Sequence, residues 1–306
     1  MRALVTGGAG FIGSHVAERF VQLGLDVTVV DDLSSGSIAN VPAGVTFERL
    51  DVASPEMGDW VRRWAPDLVV HCAAQASVPR SQLTPDTDAL TNIVGTIRAL
   101  EGARAAGAVR FVYMTTGGAL YGVAERIPTS EDEPIRPISP YGLSKWVAEQ
   151  YLALLGGDQM RSVVLRLANV YGPRQRTDGE GGVVSTFISR MAQGAQVEIH
   201  GDGEQTRDFV FVGDVVDAVV AACGATEPLV ANIGTGISTS VNHLVELLSS
   251  ITEFTGPVVY TDSRSGDVRD SCLDAARAWN KLGWRPATSL ESGLRLTARS
   301  MLERSE

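Results

Sequence analysis

The chain opens on "RALVTGGAGFIGSHVAERF", where a short branched apolar run meets closely spaced glycines and then apolar residues at helical spacing. This order constrains the fold more than any other stretch. A strand that passes through Gly7, Gly10 and Gly13 straight into a helix must turn tightly and let the helix approach the strand closely. Glycine alone allows both. The first helical turn also offers unpaired N–H groups and about half a positive charge, a setting that suits a phosphate. With Phe11 and Ile12 in the same turn, these glycines form a candidate grip for a dinucleotide.

Alternation continues beyond it. "DVTVVDD", "GVTFERLDV", "PDLVVHCAA", "VRFVYMTT" and "RSVVLRLANVYG" read as strands, with helical patterns such as "LTNIVGTIRALEGARAAG" and "YGLSKWVAEQYLALLGG" between them. Apolar strands alternating with longer helices predict a Rossmann-type α/β fold, a doubly wound parallel sheet with right-handed crossovers. The pattern loosens after residue 170, where "GPRQRTDGEGG" reads as a polar loop. We expect a dinucleotide-binding domain over 1–170, rejoined by segments near 208–236, and a smaller α/β substrate lobe over 171–306.

Asp31 closes the second strand. Its carboxylate can accept from both hydroxyls of an adenosine ribose and would repel a 2′-phosphate, which favours NAD over NADP. A solvated acidic pair with Asp32 is the plain alternative. Asp51 and Val52, after the third strand, are placed to meet the adenine, unless Asp51 is an ordinary strand-end residue.

Composition excludes several classes. The formal net charge of −10 over 306 residues argues against a general nucleic-acid or membrane-surface binder. No apolar run approaches the roughly 18 residues of a membrane span, and the N-terminal run is too short for a signal peptide. Cys72, Cys223 and Cys272 are far apart and odd in number, so neither a disulfide framework nor a metal site is expected. A cytoplasmic setting follows as the default.

"SPYGLSKWVAE" places Tyr141 and Lys145 one helical turn apart. A tyrosine with a pKa near 10 is a poor base at neutral pH, but a neighbouring ammonium stabilises its phenolate. His71, by contrast, reads as a satisfied core histidine, and Trp60 with Trp64 as packing.

With these motifs in order, the chain resembles the extended short-chain dehydrogenase/reductases, in the nucleotide-sugar branch that includes the UDP-galactose 4-epimerases. The likeness runs through "TGGAGFIGSH", "HCAAQASV", "YGLSK", "NVYGPRQ", "GDGEQTRDFVFVGDV", "NIGTG" and "SGDVRDS". It implies tightly bound NAD, a UDP-sugar substrate, a 4-keto intermediate and a homodimer built on helices around 88–106 and 141–155. Tyr141 would take the proton of the sugar 4-hydroxyl and Lys145 would hold the ribose and tune the tyrosine. Ala74 and Asn92 would line the cofactor, although Asn92 also reads as an ordinary polar helix residue. Asn169, Arg207 and Arg264 would anchor UDP. Ser271 stands where a small residue admits N-acetyl sugars. Arg174 or Arg176 could instead meet a C6 carboxylate, making UDP-glucuronic acid the rival substrate. A family member that binds NAD only as a sensor is a further alternative, against which the intact Tyr141 and Lys145 speak.

One stretch departs from the pattern. In "MTTGGALYG" the family's usual active-site hydroxyl position is Gly117, followed by Gly118. Alternation along a strand puts Thr115 on the side of Gly117 and turns Thr116 away. Glycines favour a bulge or strand exit that re-aims a neighbour, and some relatives carry such a Thr-Gly-Gly. We therefore expect Thr116 to supply the hydroxyl and the Gly117–Gly118 pair to clear space beside the sugar, with Gly117 bordering it. Dehydration at C4–C6 is disfavoured, because the Asp-Glu of dehydrating relatives is replaced by these glycines.

Overall fold

A computed structural model describes residues 1–156, 160–177, 182–263 and 268–303. The chain order begins β1 (Arg2–Thr6), α1 (Phe11–Gln22), β2 (Asp26–Asp31), β3 (Thr46–Arg49), α2 (Met57–Trp64) and β4 (Leu68–His71). Two short helices, α3 (Val78–Leu83) and α4 (Pro85–Ala89), lead through a π-helical turn over Leu90–Gly95 into α5 (Thr96–Ala105). Then come β5 (Arg110–Thr116), α6 (Pro140–Leu155) and β6 (Arg161–Leu167).

The second half is less regular. It runs β7 (Asn169–Tyr171), α7 (Val183–Ala192), β8 (Val197–His200), β9 (Thr206–Arg207), β10 (Phe209–Phe211) and α8 (Val212–Cys223). It continues with β11 (Leu229–Ile233), β12 (Thr239–Ser240), α9 (Val241–Thr252), β13 (Val258–Thr261), β14 (Asp270–Ser271), α10 (Ala276–Leu282) and α11 (Leu290–Glu303).

Seven of these strands form one parallel sheet in the order β11-β6-β5-β4-β1-β2-β3. The order reverses between β1 and β4, the switch point where doubly wound sheets open a crevice beyond their C-terminal strand ends. Both faces are covered, which is why the strands read as nearly unbroken apolar runs. One face packs Val16, Phe20, Val215 and Val219 of α1 and α8 on β1, β2 and β6. The other packs Val61, Leu100, Ala148 and Leu152 of α2, α5 and α6 on β4 and β5. A separate cluster around Phe187, Ile199, Leu244 and Leu294 forms the core of the C-terminal lobe.

His71 is fully buried and has both ring nitrogens engaged, Nδ1 with Thr6 Oγ1 at 2.8 Å and Nε2 with Thr96 Oγ1 at 3.1 Å. Thr96 already donates to the Asn92 carbonyl, so Nε2 carries the proton and Nδ1 accepts. Burial lowers its pKa to about 3, so the ring is neutral. Trp60 and Trp64 stack at 6.1 Å between centroids, and Arg2 covers the second ring. Both features belong to packing. No helix among the described residues is long and apolar enough to cross a membrane.

A polar seam runs through the middle. Arg166 of β6 and Glu149 of α6 form a forked ion pair, with Arg166 Nη2 donating to Glu149 Oε2 at 2.7 Å and Nε sharing both oxygens. Their side chains are 7% and 3% exposed. Arg166 Nη1 also donates to the Tyr121 hydroxyl, which donates to Asn232 Oδ1 of β11. The seam fixes α6 against β6, β11 and the loop after β5 that carries Tyr121. Removing one partner of a buried pair strands the other charge, which costs about 3–5 kcal/mol. Glu149→Ala is therefore expected to lower the denaturation midpoint in urea steeply, and Glu149→Ala with Arg166→Met to recover part of the loss.

Candidate active site

Every main-sheet strand delivers its following loop to the same edge. After β1, Gly7 sits at φ +65° and an added Cβ would lie 2.6 Å from the Ala73 nitrogen. At Gly13 an added Cβ would lie 2.2 Å from the Gly7 carbonyl oxygen. Neither position tolerates a side chain. α1 starts from Gly10 with no side-chain cap, so its first N–H groups face the loop that Gly7, Gly10, Phe11, Ile12 and Gly13 make. These features fit a bound pyrophosphate.

Asp31 ends β2 against that loop. Oδ2 accepts from the Ala9 N–H at 3.0 Å and Oδ1 from the Leu33 N–H at 2.8 Å. Burial raises its carboxyl pKa while the two N–H bonds act the other way. Asp51 follows β3, exposed, and accepts from the Ala53 N–H; Val52 is buried against Gly95.

Asn92 lies at the start of the helical segment behind the Ala74 loop, within its π-turn. It is fully buried, and its Oδ1 accepts from the Gln75 N–H at 2.9 Å. Nδ2 serves the Gln75 carbonyl, Asp88 Oδ1 and Ser144 Oγ at 3.0–3.1 Å. The amide is taken up in clamping the loop of Ala74 and Gln75 to α6. It shapes the wall that Ala74 belongs to.

Tyr141 and Lys145 occupy the first turns of α6, which Ser139 caps by accepting from the Gly142 N–H. The backbone N–H of Tyr141 donates to Ser81 Oγ at 3.1 Å. Burial pushes the Tyr141 phenol up to about 12, the Asp88 carboxylate adds to the rise, and a hydrogen bond from Thr116 opposes it. Burial pulls Lys145 down to about 8, against the pull of Cys72, Glu149 and Asp88. The Lys145 ammonium rests on the Tyr113 ring, 4.3 Å from its centroid.

The two threonines separate cleanly. Thr115 is buried, and its hydroxyl has no hydrogen-bond partner among the described residues. Thr116, last in β5, is half-buried; its hydroxyl accepts from the Ala119 N–H at 3.2 Å and reaches Tyr141. Re-aiming comes from a strand exit. Register with β6 holds to Thr116 opposite Leu167, and the chain leaves the strand at Gly117, whose N–H still bonds the Leu167 carbonyl.

Gly117 and Gly118 face different neighbours. A Cβ on Gly117 would meet Leu273 Cδ1 at 2.4 Å. A Cβ on Gly118 would point into the space bounded by Ser271 Oγ, Asn169 Oδ1 and Thr116 Oγ1, 3.7–4.0 Å away. Of the two glycines that the sequence pairs, Gly118 is thus the one that opens onto the candidate sugar-binding residues.

The far wall comes from the C-terminal lobe. Arg207 and Ser271 are direct partners on parallel strands β9 and β14, and the Asn169 N–H donates to the Asp208 carbonyl. The Asp208 side chain binds these pieces together. Its buried carboxylate accepts from the Thr235 N–H and hydroxyl, the Gly236 N–H and the Leu273 N–H. Nothing local in "TRDFV" marks this aspartate, because its partners are distant in sequence. Arg174 reaches Ser14 and pairs with Glu18 on α1, which engages its guanidinium away from a sugar carboxylate. Arg176 lies in the loop after β7, its carbonyl held by the Ser185 hydroxyl. Arg264 lies outside the described residues.

Comparison with known proteins agrees with this geometry. The model of the NAD dependent epimerase/dehydratase family matches residues 3–234. The UDP-glucose 4-epimerase of Mycolicibacterium smegmatis is 39% identical over 313 residues, covering 100% of both chains. The crystal structure of the Thermotoga maritima UDP-glucose 4-epimerase with UDP-glucose superposes with a TM-score of 0.97 at 45% identity, over 100% of both chains. That of the Thermus thermophilus UDP-glucose 4-epimerase complex with NAD gives 0.93 at 39% identity, over 99% of both. With a family model that matches most of its length and relatives at this identity over the whole chain, the chain belongs to the NAD-dependent epimerase/dehydratase family.

Proposed function

We propose that the chain is an NAD-dependent nucleotide-sugar 4-epimerase that interconverts UDP-glucose and UDP-galactose through a 4-keto sugar. The observation that carries this reading is the convergence of Tyr141, Lys145 and Thr116 at the same sheet edge as the glycine loop and Asp31. Relatives at 39–45% identity, named UDP-glucose 4-epimerases, support it over a UDP-glucuronate epimerase, as does the engagement of Arg174 by Glu18.

The residues fit NAD. Gly7, Gly10, Phe11, Ile12 and Gly13 would hold the pyrophosphate, Asp31 the adenosine ribose, and Asp51, Val52 and Ala74 the neighbouring wall. When bound, NAD supplies the acceptor and later the donor of the C4 hydride. The chain handles the proton and the grip. Tyr141 takes the proton of the C4 hydroxyl and later returns it, Lys145 stabilises the phenolate, and Thr116 orients the hydroxyl. Asn169, Arg207 and Arg264 would anchor the diphosphate and nucleoside while the hexose turns over, so one binding event serves both half-reactions.

The small Ser271 and the bare Gly118 leave room beside the sugar, which supports additional turnover of UDP-N-acetylglucosamine. Leu90, Leu143, Tyr151 and Leu154 form exposed apolar surface on the π-turn and α6. Pairing of these helices with a second copy would bury them, in keeping with a homodimer. A cytoplasmic location is part of the same proposal.

An NMR time course of the purified chain with UDP-glucose, UDP-galactose, UDP-glucuronic acid and UDP-N-acetylglucosamine tests the assignment. The first two should interconvert and the N-acetyl sugar should follow more slowly. Turnover of UDP-glucuronic acid alone would overturn it, and the absence of both reduced-nicotinamide absorbance and epimerised product with every sugar would indicate a sensor. Thr116→Val should lower kcat by about 10²-fold or more, the usual worth of a positioned hydrogen-bond or proton-transfer group. Thr115→Val should leave kcat nearly unchanged and stability equal or higher, since it removes a buried hydroxyl that has no partner.

A further inference from the structure

Around Tyr141 and Lys145 the chain buries several titratable groups, and most of them carry no charge. Burial keeps His71 neutral with a pKa of about 3, raises the Cys72 thiol to about 12, and raises the Tyr113 phenol well above its ordinary value. Glu149 is ion-paired with Arg166 and also acts upward on Lys145, but it is not among the groups that act on Tyr141. The charged side chains of α3 and α5, Arg80, Glu101 and Arg104, point to solvent, as does Asp86 of α4. Arg98 is half-buried with its guanidinium on the Ala53 carbonyl.

Asp88 of α4 is the exception. It is 1% exposed, and its Oδ1 accepts from Gln75 Nε2 at 2.8 Å and Asn92 Nδ2 at 3.1 Å. Oδ2 is buried with no hydrogen-bond partner among the described residues. No cation among the described residues pairs with it directly. The same Asn92 amide reaches Ser144, whose hydroxyl donates to the Tyr141 carbonyl. Asp88 is therefore held one side chain away from the turn of α6 that carries Tyr141 and Lys145.

A buried carboxylate without a counter-charge is costly and persists only where it offsets something. We propose that Asp88 is the buried counter-charge of the Tyr141–Lys145 pair, and that its carboxylate sets the pH window in which that pair holds a single proton. This rests on Tyr141 acting as the base. The single-proton form is the working one, with phenolate beside ammonium. Alone the pair sums to zero, and the Asp88 charge leaves one negative. The positive charge of an oxidised nicotinamide would bring the buried total back to zero. The total stays at zero when the hydride moves to the ring and the sugar proton moves to Tyr141, because each removes one charge of opposite sign. Asp88 thus acts as a positioning residue, through charge and not through contact with the sugar.

The sign is fixed by electrostatics. A negative charge favours the protonated form of every group near it, and Asp88 acts upward on both Tyr141 and Lys145. Removing it must lower both macroscopic ionisations of the coupled pair. Asp88→Asn keeps the shape and the oxygen that accepts from Gln75 and Asn92, removes the charge, and exchanges the unpartnered Oδ2 for an NH2; Asp88→Glu controls for that exchange. Both limbs of the kcat/KM pH profile should move together toward acid, by about one pH unit for a charge at this range in a partly polar interior. A second readout needs no turnover. The phenolate ultraviolet absorbance of the NAD-loaded chain, after subtraction of Tyr141→Phe, should develop at lower pH in Asp88→Asn. If the chain epimerises no sugar, this titration still decides the role of Asp88. Unmoved profiles, limbs that move in opposite directions, or an Asp88→Asn chain that does not fold while Asp88→Glu does would overturn the proposal.

Discussion

In a parallel sheet every strand ends at the same edge, and this constraint organises the whole molecule. The glycine turn after β1, Asp31 at the end of β2, the Ala74 loop after β4 and Thr116 at the end of β5 are brought together by strand direction alone. The reversal of strand order between β1 and β4 opens the crevice there. Chemistry that needs a cofactor, a base and a sugar in mutual contact is thereby assembled from segments more than a hundred residues apart. The opposite wall is not part of this sheet. It is joined to it by Asp208, whose one carboxylate gathers the chain after β11 and the segment after β14 beside the strand that carries Arg207.

Burial explains why the candidate base needs such a setting. Desolvation alone moves Tyr141 and Lys145 in opposite directions, the phenol up and the ammonium down, so each is driven toward its neutral form. The fixed groups around them act against this: a hydrogen bond from Thr116 on Tyr141, carboxylates within range of Lys145, and the face of Tyr113 beneath the ammonium. Most neighbouring titratable groups are kept silent by the same burial. The Glu149–Arg166 pair adds rigidity, and its carboxylate still acts on Lys145 from within the pair.

Local signals were the legible ones. The Gly7–Gly10–Gly13 turn, Asp31 and the Tyr141–Lys145 spacing each lie within one or two turns of chain, so their geometry follows from adjacent residues. Strand alternation was equally readable, because burial on both sheet faces writes unbroken apolar runs into the sequence. Asp208 and Asp88 were not readable. Their donors come from residues 235, 236 and 273 in one case and from the 75–92 clamp in the other, and packing decides those distances. Asn92 shows the limit from the other side, since its position in the sequence points to the cofactor while its amide is fully engaged by Gln75, Asp88 and Ser144. Arg174 likewise looks available until the fold brings Glu18 to it.

The paired glycines show how finely this division runs. Seen as sequence, Gly117 and Gly118 are one feature, a gap where the family's usual hydroxyl stands. In space they meet opposite demands. Gly117 must lack a side chain because Leu273, fully buried and tied through its N–H to Asp208, fills that volume. Gly118 meets no such obstacle, since the oxygens around its missing Cβ lie at ordinary contact distance. The first glycine therefore answers to the packing of the lobe against the sheet, and the second to whatever occupies the space among Thr116, Asn169 and Ser271. A methyl group at position 118 would fit the protein and compete only with a ligand, whereas one at 117 would push on the segment that carries Ser271. Pocket size and lobe position are in this way set by neighbouring residues of the same type for unrelated physical reasons.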